Sequence, residues 1–374
     1  MKTYNLIATA AAGIEALVAR ELKSFGYQTQ TENGFVRYKG NERDIAYTNL
    51  WLRTADRVKI VFGEFKATSF SELFDQIYNL PWEEILPMDA SFPVAGRSIR
   101  SKLHSVPNIQ RIAKKAIAKK LQDVYHRRTP LPETGAHYPI EVVIRRDKVQ
   151  LLMDTSGSSL FKRGYRSEKG GAPLKENMAA ALIMLTTWHP DRPLYDPTCG
   201  SGTILIEAAL MGHNIAPGFN RSFVSEEWEM LDTSVWQEVR DEAELQADYD
   251  KKLDLFGTDI DQRMIEIAKQ NAMEAGVHDS IEFKQMALKD YVPTKEYGIL
   301  ISNPPYGDRL LDEEKVHQLY REMGEIYRNM PTWSKYILTS DENFEEYYGE
   351  KATRKRKLYN GRIKVDYYQY WSTQ

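Results

Sequence analysis

The residues Asn303-Pro304-Pro305-Tyr306 follow an apolar run from Gly298 to Ser302 and can hold a flat ring that carries an amine. The amide oxygen of Asn303 and a backbone carbonyl beside Pro304 can accept both hydrogens of an exocyclic NH2 group, and proline has no N–H to compete. The nitrogen lone pair can then point at an electrophilic carbon while Tyr306 stacks on the ring. This pattern predicts an amine methylation site, although an isolated copy could equally be a proline-rich turn.

Two further loops suggest a nucleoside ligand. The loop from Asp196 to Thr203 contains Gly200 and Gly202, which let a ligand lie against the backbone, and its last residue can cap the helix that follows. It lacks the third glycine of a dinucleotide loop and the Gly-Lys-Ser/Thr of a phosphate loop. In the second loop Asp259 can bind both hydroxyls of a ribose, whereas a helix cap at Asp259 or Asp261 is the alternative.

Alternating strands and helices are predicted to position these loops. The strands are predicted at 193–195, 253–258, 280–284, 298–302 and 335–339, with intervening helices at 202–211, 261–275 and 316–328. Such alternation predicts a parallel sheet with helices on both faces, and ligands of such sheets bind at the carboxyl ends of the strands. The acidic stretch 213–250 is interpreted as an insertion between the first two strands.

The first 156 residues predict two small α+β units. The first unit has a strand at 4–8 and a helix at 14–25, while the second has strands at 58–65, 140–145 and 148–154. Its helices are predicted at 69–80, with Ser71 as a cap, and at 109–124.

Charge is unevenly distributed along the chain. Residues 1–166 contain 26 Lys and Arg against 17 Asp and Glu, a balance of +9, although the whole chain carries −3. Between Arg97 and Arg128 there are ten basic residues and one acid, Asp123. This segment predicts an anion-binding surface, with a solvated helix face as the alternative. A similar choice applies to residues 351–364, which are either a second phosphate contact or an exposed hairpin.

Composition excludes several classes of protein. No apolar stretch approaches the roughly 20 residues of a membrane helix, so we expect a protein without a membrane partner. The single cysteine, Cys199, excludes an intramolecular disulfide framework and fits a cytoplasmic location. Pyrimidine C5 methylation requires a cysteine nucleophile, whereas Cys199 lies in the glycine loop as a small packing residue. The histidines show no metal-ligand spacing, and no metal is expected.

In combination, the motifs of the second half resemble those of class I S-adenosylmethionine-dependent methyltransferases. They are DPTCGSGT at 196–203, GTDID at 257–261 and SNPPYG at 302–307. The whole chain resembles THUMP-containing RNA guanine-N2 methyltransferases, RlmL-like proteins in particular, through LFKRGYR at 160–166 and APLKEN at 172–177. The resemblance implies an α/β Rossmann-like class I methyltransferase domain preceded by α+β ferredoxin-like and THUMP domains. The implied boundaries are 1–60 (ferredoxin-like), 61–156 (THUMP), 157–172 (linker) and 173–374 (methyltransferase).

The resemblance also assigns roles to individual residues, with S-adenosylmethionine as the cofactor. The residues expected to present the target base are Asn303, Pro304, Pro305 and Tyr306. Those expected to bind the cofactor are Asn177, Asp196, Pro197, Cys199, Gly200, Gly202, Thr203, Asp259, Ile260, Gln285, Met286 and Asn303. Those expected to bind RNA are Arg97, Arg100, Lys102, Arg111, Lys114, Lys115, Lys162, Arg163 and Arg166. The family often has an acid where this chain has Gln285 and Met286.

The expected reaction is direct in-line transfer to guanine N2 in RNA, with 23S ribosomal RNA favoured and transfer RNA as the nearest rival. The longest RlmL-type proteins append a second methyltransferase domain, so a single modification is expected here. Adenine-N6 methylation of nucleic acid uses the same motif and is a second alternative. A non-enzymatic alternative is an RNA-binding assembly factor with a vestigial cofactor site. Sequence does not indicate the oligomeric state.

Overall fold

The computed structural model describes residues 2–166, 174–305 and 313–373. Fourteen β-strands lie within these ranges and form two seven-stranded sheets. They are β1 Tyr4–Thr9, β2 Gln30–Glu32, β3 Phe35–Gly40, β4 Val58–Lys66, β5 Val94–Ile99, β6 Ile140–Arg145, β7 Lys148–Asp154, β8 Leu194–Asp196, β9 Leu255–Asp259, β10 Ile281–Gln285, β11 Ile299–Ser302, β12 Ser334–Thr339, β13 Arg354–Asn360 and β14 Ile363–Tyr370.

Ten α-helices occupy the same described ranges. They are α1 Glu15–Ser24, α2 Glu42–Trp51, α3 Phe70–Tyr78, α4 Val106–Val124, α5 Glu176–Met184, α6 Thr203–Gly212, α7 Thr233–Gln246, α8 Gln262–Glu274, α9 Glu313–Tyr327 and α10 Phe344–Tyr348. None of the described helices combines the length and apolar character that a membrane span requires.

The helix caps correct two of the sequence expectations. Helix α3 is capped by Ser69, whose hydroxyl accepts from the Glu72 N–H at 3.1 Å, so the cap predicted at Ser71 is wrong by two residues. Helix α6 begins after Gly202, which has the left-handed φ of 83°, so Thr203 is the first helical residue rather than the cap. Glycine adopts that conformation without the steric cost that a side chain would bring.

The backbone contacts divide the chain into two compact units. The first consists of Met1–Ala10, Val18–Leu160 and Arg221–Glu242. Its sheet has the order β2-β3-β1-β4-β7-β6-β5, in which β1 pairs antiparallel with β4. The two predicted α+β units therefore share one continuous sheet. The domain boundaries expected from sequence stay a prediction, and residues 167–173 of the expected linker lie outside the described part of the chain.

An inserted segment of the second half, Arg221–Glu242, belongs to this first unit. The buried Trp228 ring stacks on Tyr138 with ring centroids 4.8 Å apart, and its indole N–H donates to the His137 carbonyl at 2.7 Å. The Arg221 guanidinium donates to the Ser159 carbonyl at 2.7 Å. The stretch interpreted as an insertion thus contributes buried aromatic surface to a unit that precedes it in sequence.

The second unit consists of Ala11–Leu17, Phe161–Asn220 and Ala243–Gln374. Its sheet has the order β10-β9-β8-β11-β12-β14-β13. The first five strands are parallel, and β14 runs antiparallel to β12 and β13. Strand order reverses between β8 and β11, which is where the crevice of an open α/β sheet lies. The loops singled out in the sequence follow β8, β9 and β11, at the carboxyl ends of these strands.

Candidate active site

Asp196 ends β8 and is almost completely buried. Its carboxylate accepts from the Thr198 N–H at 3.1 Å. Burial, with a smaller contribution from the negative charge of Asp259, raises the pKa of Asp196 to about 8. A cationic group bound beside Asp196 would favour its ionised form, because opposite charges stabilise each other. Asp196 is therefore suited to the ammonium group of an amino acid.

The glycine loop after Asp196 leaves its backbone accessible at one point and closely packed at another. Gly200 has φ 53°, and the nearest heavy atom to an added Cβ would be the Met264 methyl at 3.9 Å. At Gly202 an added Cβ would lie 2.9 Å from the Phe283 ring, so this glycine is required for packing. The open backbone is at Gly200, where a ligand can approach.

Asp259 ends β9 and faces this loop. Its two carboxylate oxygens accept from the Gly200 N–H at 3.0 Å and from the Asp261 N–H at 2.9 Å. Burial raises the pKa of Asp259. Each oxygen has two lone pairs and so retains capacity for a hydroxyl. Asp261 is the cap of α8, since its carboxylate accepts from the Arg263 N–H at 2.9 Å, and Asp259 is thereby left for a ligand.

The residues expected near an adenine, Gln285 and Met286, are held next to Asp259 by hydrogen bonds. The Met286 N–H donates to the Asp259 carbonyl at 3.0 Å, and the Gln285 amide donates to the Ile260 carbonyl at 3.0 Å. Ile260 is 73% exposed, so its apolar side chain is accessible beside Asp259. A flat apolar ligand can cover it.

Asn303 directly follows β11 at the same edge of the sheet. Its amide oxygen is buried, and no hydrogen-bond donor of the described residues reaches it. An unpaired buried oxygen costs about 1–3 kcal/mol, which is expected where a ligand supplies the donor. Ser302 at the end of β11 bonds to the Thr198 hydroxyl at 2.9 Å and so joins this strand end to the loop after β8. Tyr306 lies outside the described residues.

Pro304 and Pro305 continue from Asn303. Pro304 is buried and Pro305 is exposed. The Tyr320 hydroxyl lies 3.4 Å from the Pro305 carbonyl and 2.9 Å from the Thr339 hydroxyl. Tyr320 therefore connects the proline pair to the end of β12, a contact that the sequence pattern did not indicate.

Two arginines assigned to RNA have other partners. Arg163 is buried, and its guanidinium pairs with the Glu207 carboxylate of α6 at 2.8 Å, so its assignment as an RNA contact is wrong. Tyr165 donates to the same carboxylate at 2.8 Å. A side chain with this little exposure does not reach a phosphate. The missed signal was Glu207 itself, a charged residue within the otherwise apolar sequence of α6.

The Arg166 side chain stabilises the glycine loop through hydrogen bonds. Its guanidinium donates to the Ser201 hydroxyl at 3.2 Å, the Thr203 hydroxyl at 2.8 Å and the Glu176 carboxylate at 2.9 Å. These hydrogen bonds give Arg166 a role in shaping the loop, and its phosphate contact stays a prediction. Lys162, the third basic residue of this motif, is exposed.

The remaining residues predicted to bind cofactor are buried or intermediate in exposure. Asn177 of α5 is buried, and its amide oxygen accepts from the Met178 N–H at 2.9 Å. Pro197 is buried between Asp196 and the rest of the glycine loop. Cys199 is buried, and its N–H donates to the Thr258 carbonyl at 2.9 Å. Burial and the carboxylates nearby raise the pKa of the Cys199 thiol far above its usual range.

The protonated thiol leads to a testable expectation for Cys199. Because a thiolate is the nucleophilic form, the Cys199→Ala variant should keep methyl transfer within about threefold of the unchanged protein, with a stability loss of about 1 kcal/mol. Initial rates of label transfer and urea unfolding measure the two effects. A folded variant without any transfer would instead make the thiol a reactant.

The basic segment lies in the first unit and is mostly exposed. Arg97 is on β5, Arg111 and Lys115 are on α4, and all three side chains are exposed, as are Arg100 and Lys102 between these elements. Lys114 is only partly available, since its ammonium donates to the Phe92 carbonyl at 2.8 Å and pairs with Glu133. The other five positions remain a predicted RNA surface.

Family models match three consecutive parts of the chain. Residues 5–59 match the RlmL ferredoxin-like domain, residues 67–154 the THUMP domain, and residues 163–369 the RMKL-like methyltransferase domain. The chain is also 53% identical over 373 residues to YpsC of Bacillus subtilis, described as a candidate RNA methyltransferase, covering 100% of this chain and 97% of that protein. The chain belongs to the RlmK/L family of RNA methyltransferases.

Other relatives agree with the RlmK/L assignment. The ribosomal RNA large subunit methyltransferase K/L of Shewanella baltica is 35% identical over 366 residues, which cover 96% of this chain and 52% of that protein. The chain thus spans about half the length of this relative. A candidate methyltransferase crystallised with SAH is 56% identical, with TM-score 0.96 and coverage of 100% and 99%. The structure of TrmN from Thermus thermophilus, at 18% identity and TM-score 0.71, shows the fold alone.

Membership of the RlmK/L family confirms the predicted fold class and its order of ferredoxin-like, THUMP and methyltransferase domains. The methyl donor is S-adenosylmethionine, and the substrate class is RNA. The site fits this donor: Asp196 suits the amino group, Gly200 leaves backbone open, and Asp259 has oxygens available for a ribose.

Proposed function

We propose that this protein methylates the exocyclic N2 amine of a guanine in RNA, and that the RNA is 23S ribosomal RNA. The observation that carries the proposal is the buried amide oxygen of Asn303, which has no hydrogen-bond donor among the described residues and lies at the sheet edge next to the cofactor loops. An amine hydrogen of the base would satisfy this oxygen. Pro304 next to it offers no N–H that could compete.

In this proposal the chain acts mainly by positioning. Bound S-adenosylmethionine supplies an electrophilic methyl group on a positively charged sulfur. Asn303 accepts one amine hydrogen, and a backbone carbonyl beside Pro304 accepts the other. Because both hydrogens are then held, the nitrogen lone pair is directed away from the ring plane, and correct placement alone provides a large part of the rate. Tyr306 is proposed to stack on the base. No covalent intermediate with Cys199 is needed.

The choice of ribosomal RNA is supported by the Shewanella baltica relative, whose name specifies the ribosomal RNA large subunit. The choice of guanine follows from the resemblance of the sequence motifs to guanine-N2 methyltransferases. Adenine N6 is the second candidate, because an amide oxygen and a proline carbonyl can hold an adenine amine equally well. A structure from Listeria monocytogenes described as a predicted N6-adenine-specific DNA methylase is 58% identical, with TM-score 0.96 and coverage of 100% and 97%. We place the reaction in the cytoplasm, where bacterial ribosomal RNA is made.

A substrate comparison tests this proposal. The purified protein should transfer tritiated methyl groups to an unmodified 23S ribosomal RNA transcript and much less to unmodified transfer RNA or duplex DNA. Digestion and mass spectrometry should identify N2-methylguanosine at one position. Label found mainly in transfer RNA would overturn the choice of RNA, and N6-methyladenosine would overturn the choice of base. Cofactor-dependent label in none of these nucleic acids would support the assembly-factor alternative.

A further inference from the structure

The β13–β14 hairpin forms the edge of the catalytic sheet, and its residues up to 364 carry charge of a single sign, whereas Asp366 further along β14 is level with Lys357. Residues 351–364 contain no Asp or Glu and seven basic residues, which are Lys351, Arg354, Lys355, Arg356, Lys357, Arg362 and Lys364. In the part of the chain that the structure describes, none of the seven forms an ion pair within 4 Å. All but Arg356 are exposed.

Strand register places the turn of this hairpin at the edge of the sheet where Asn303 lies. In the antiparallel pair β12–β14, Lys335 is level with Tyr370 and Thr339 is level with Asp366. Residues 363–365 of β14 therefore continue past the carboxyl end of β12. Strands β11 and β12 are parallel, with Ser302 level with Ile337, so Asn303 and the hairpin turn leave the sheet on the same side.

The offsets between Asn303 and the hairpin turn can be estimated from the geometry of the strands. Residues 363–365 of β14 extend past the level of Thr339 by about 10 Å, at roughly 3.3 Å per residue. Only β12 separates β11 from β14. Two strand spacings of roughly 4.8 Å place the hairpin about 10 Å to the side of Asn303. A strand of RNA with one base at Asn303 can therefore reach the hairpin with a neighbouring phosphate.

The hairpin is anchored at its middle, so its tip has a defined position. Leu358 is fully buried and packs against Gly13, and the Arg356 guanidinium donates to the Gly13 carbonyl at 2.9 Å. Beyond Leu358, Tyr359 pairs across the hairpin with Lys364. The Lys357 ammonium lies 5.5 Å from the Tyr359 ring. Three cations and an aromatic ring are thus grouped at the tip, a combination typical of single-stranded nucleic-acid contacts.

A charged edge strand has an alternative explanation, since lysines on exposed edges prevent pairing with another sheet. That explanation accounts for cations along β13. It does not account for Arg362, which lies in the turn and belongs to neither strand. We propose that the tip of this hairpin, residues 357–364, binds the phosphate backbone of the RNA strand whose target base enters at Asn303. The proposal rests on the proposed function for the site of base entry.

Two variants with equal charge changes separate these explanations. The tip variant is Lys357→Gln with Arg362→Gln and Lys364→Gln, and the matched base variant is Lys351→Gln with Arg354→Gln and Lys355→Gln. Binding of fluorescent single-stranded poly(U) is measured by anisotropy from low to physiological salt. The tip variant should weaken binding at least tenfold and lower the salt slope by about 2, since each phosphate contact on a single strand contributes about 0.7. The base variant should change affinity less than twofold.

Three results would overturn the proposal: unchanged binding by the tip variant, equal losses in both variants, or self-association of the tip variant without a loss of affinity. Unfolding midpoints and S-adenosylmethionine affinity, both expected to be unchanged, show that the variants are intact. Poly(U) binding does not depend on methylation. If the modified base proves to be adenine, the proposed function fails while the hairpin result stands.

Discussion

Replacing Asn303 by leucine is expected to lower methyl transfer by at least about 100-fold, the scale measured when one positioned polar group is removed from an active site. The same change should raise the stability of the free protein by about 1 kcal/mol, because it removes a buried oxygen that has no donor in the described structure. Single-turnover transfer and urea unfolding measure the two effects.

A loss of methyl transfer together with a gain in stability would distinguish a substrate contact from a structural role. A residue that only maintains structure would lose both together. The Asn303→Asp variant is the matched control, since it keeps an acceptor oxygen at nearly the same volume. It should be more active than the leucine variant and less stable, because burial penalises its charge. A leucine variant that transfers methyl groups at the normal rate would contradict the assignment of Asn303 to the target amine.

Replacing Arg163 by methionine is expected to destabilise the second unit by about 3–5 kcal/mol, because Glu207 would be left as an unpaired buried charge. The side chains of Arg163 and Glu207 are 2% and 0% exposed. Burial alone lowers the pKa of Arg163, but the adjacent Glu207 carboxylate outweighs burial and raises it. The loss should appear as a lower midpoint in urea unfolding.

The double variant Arg163→Met with Glu207→Leu is the control for this pair. It removes both charges, so it should recover most of the stability lost by the single variant. Poly(U) affinity of the folded Arg163→Met protein should equal that of the unchanged protein. Reduced RNA affinity together with normal stability would contradict the buried position and restore the original interpretation of Arg163 as a phosphate contact.

Sequence reasoning was most successful where function depends on loops between regular elements. The strands predicted at 140–145 and 148–154 are found with the same bounds, and the loops after β8, β9 and β11 meet at one sheet edge as expected. Local patterns suffice there, because alternating apolar strands and helices determine a parallel sheet and the sheet determines where its loops meet.

The errors arose where a residue's partner is distant in sequence. The basic run at 162–166 was interpreted by its charge, whereas Arg163 pairs with Glu207, 44 residues later. The hydroxyls that meet between Thr198 and Ser302 are 104 residues apart, so no local pattern could indicate their contact. Likewise, the insertion was recognised as an insertion, but nothing in its composition indicated that Trp228 would stack on Tyr138.

The inserted segment has a consequence for how this protein can be divided or recombined. Trp228 stacks on Tyr138 in a unit whose strands, β1 to β7, all precede residue 160 in the sequence. A truncated product ending near residue 160 would leave Tyr138 without its cover, and a catalytic fragment starting there would expose Trp228. In a chimera made by one crossover near residue 160, the amino-terminal half of one relative would pack against the 221–242 segment of the other, and the two surfaces would not be matched. A viable chimera would need to transfer residues 221–242 together with the amino-terminal half.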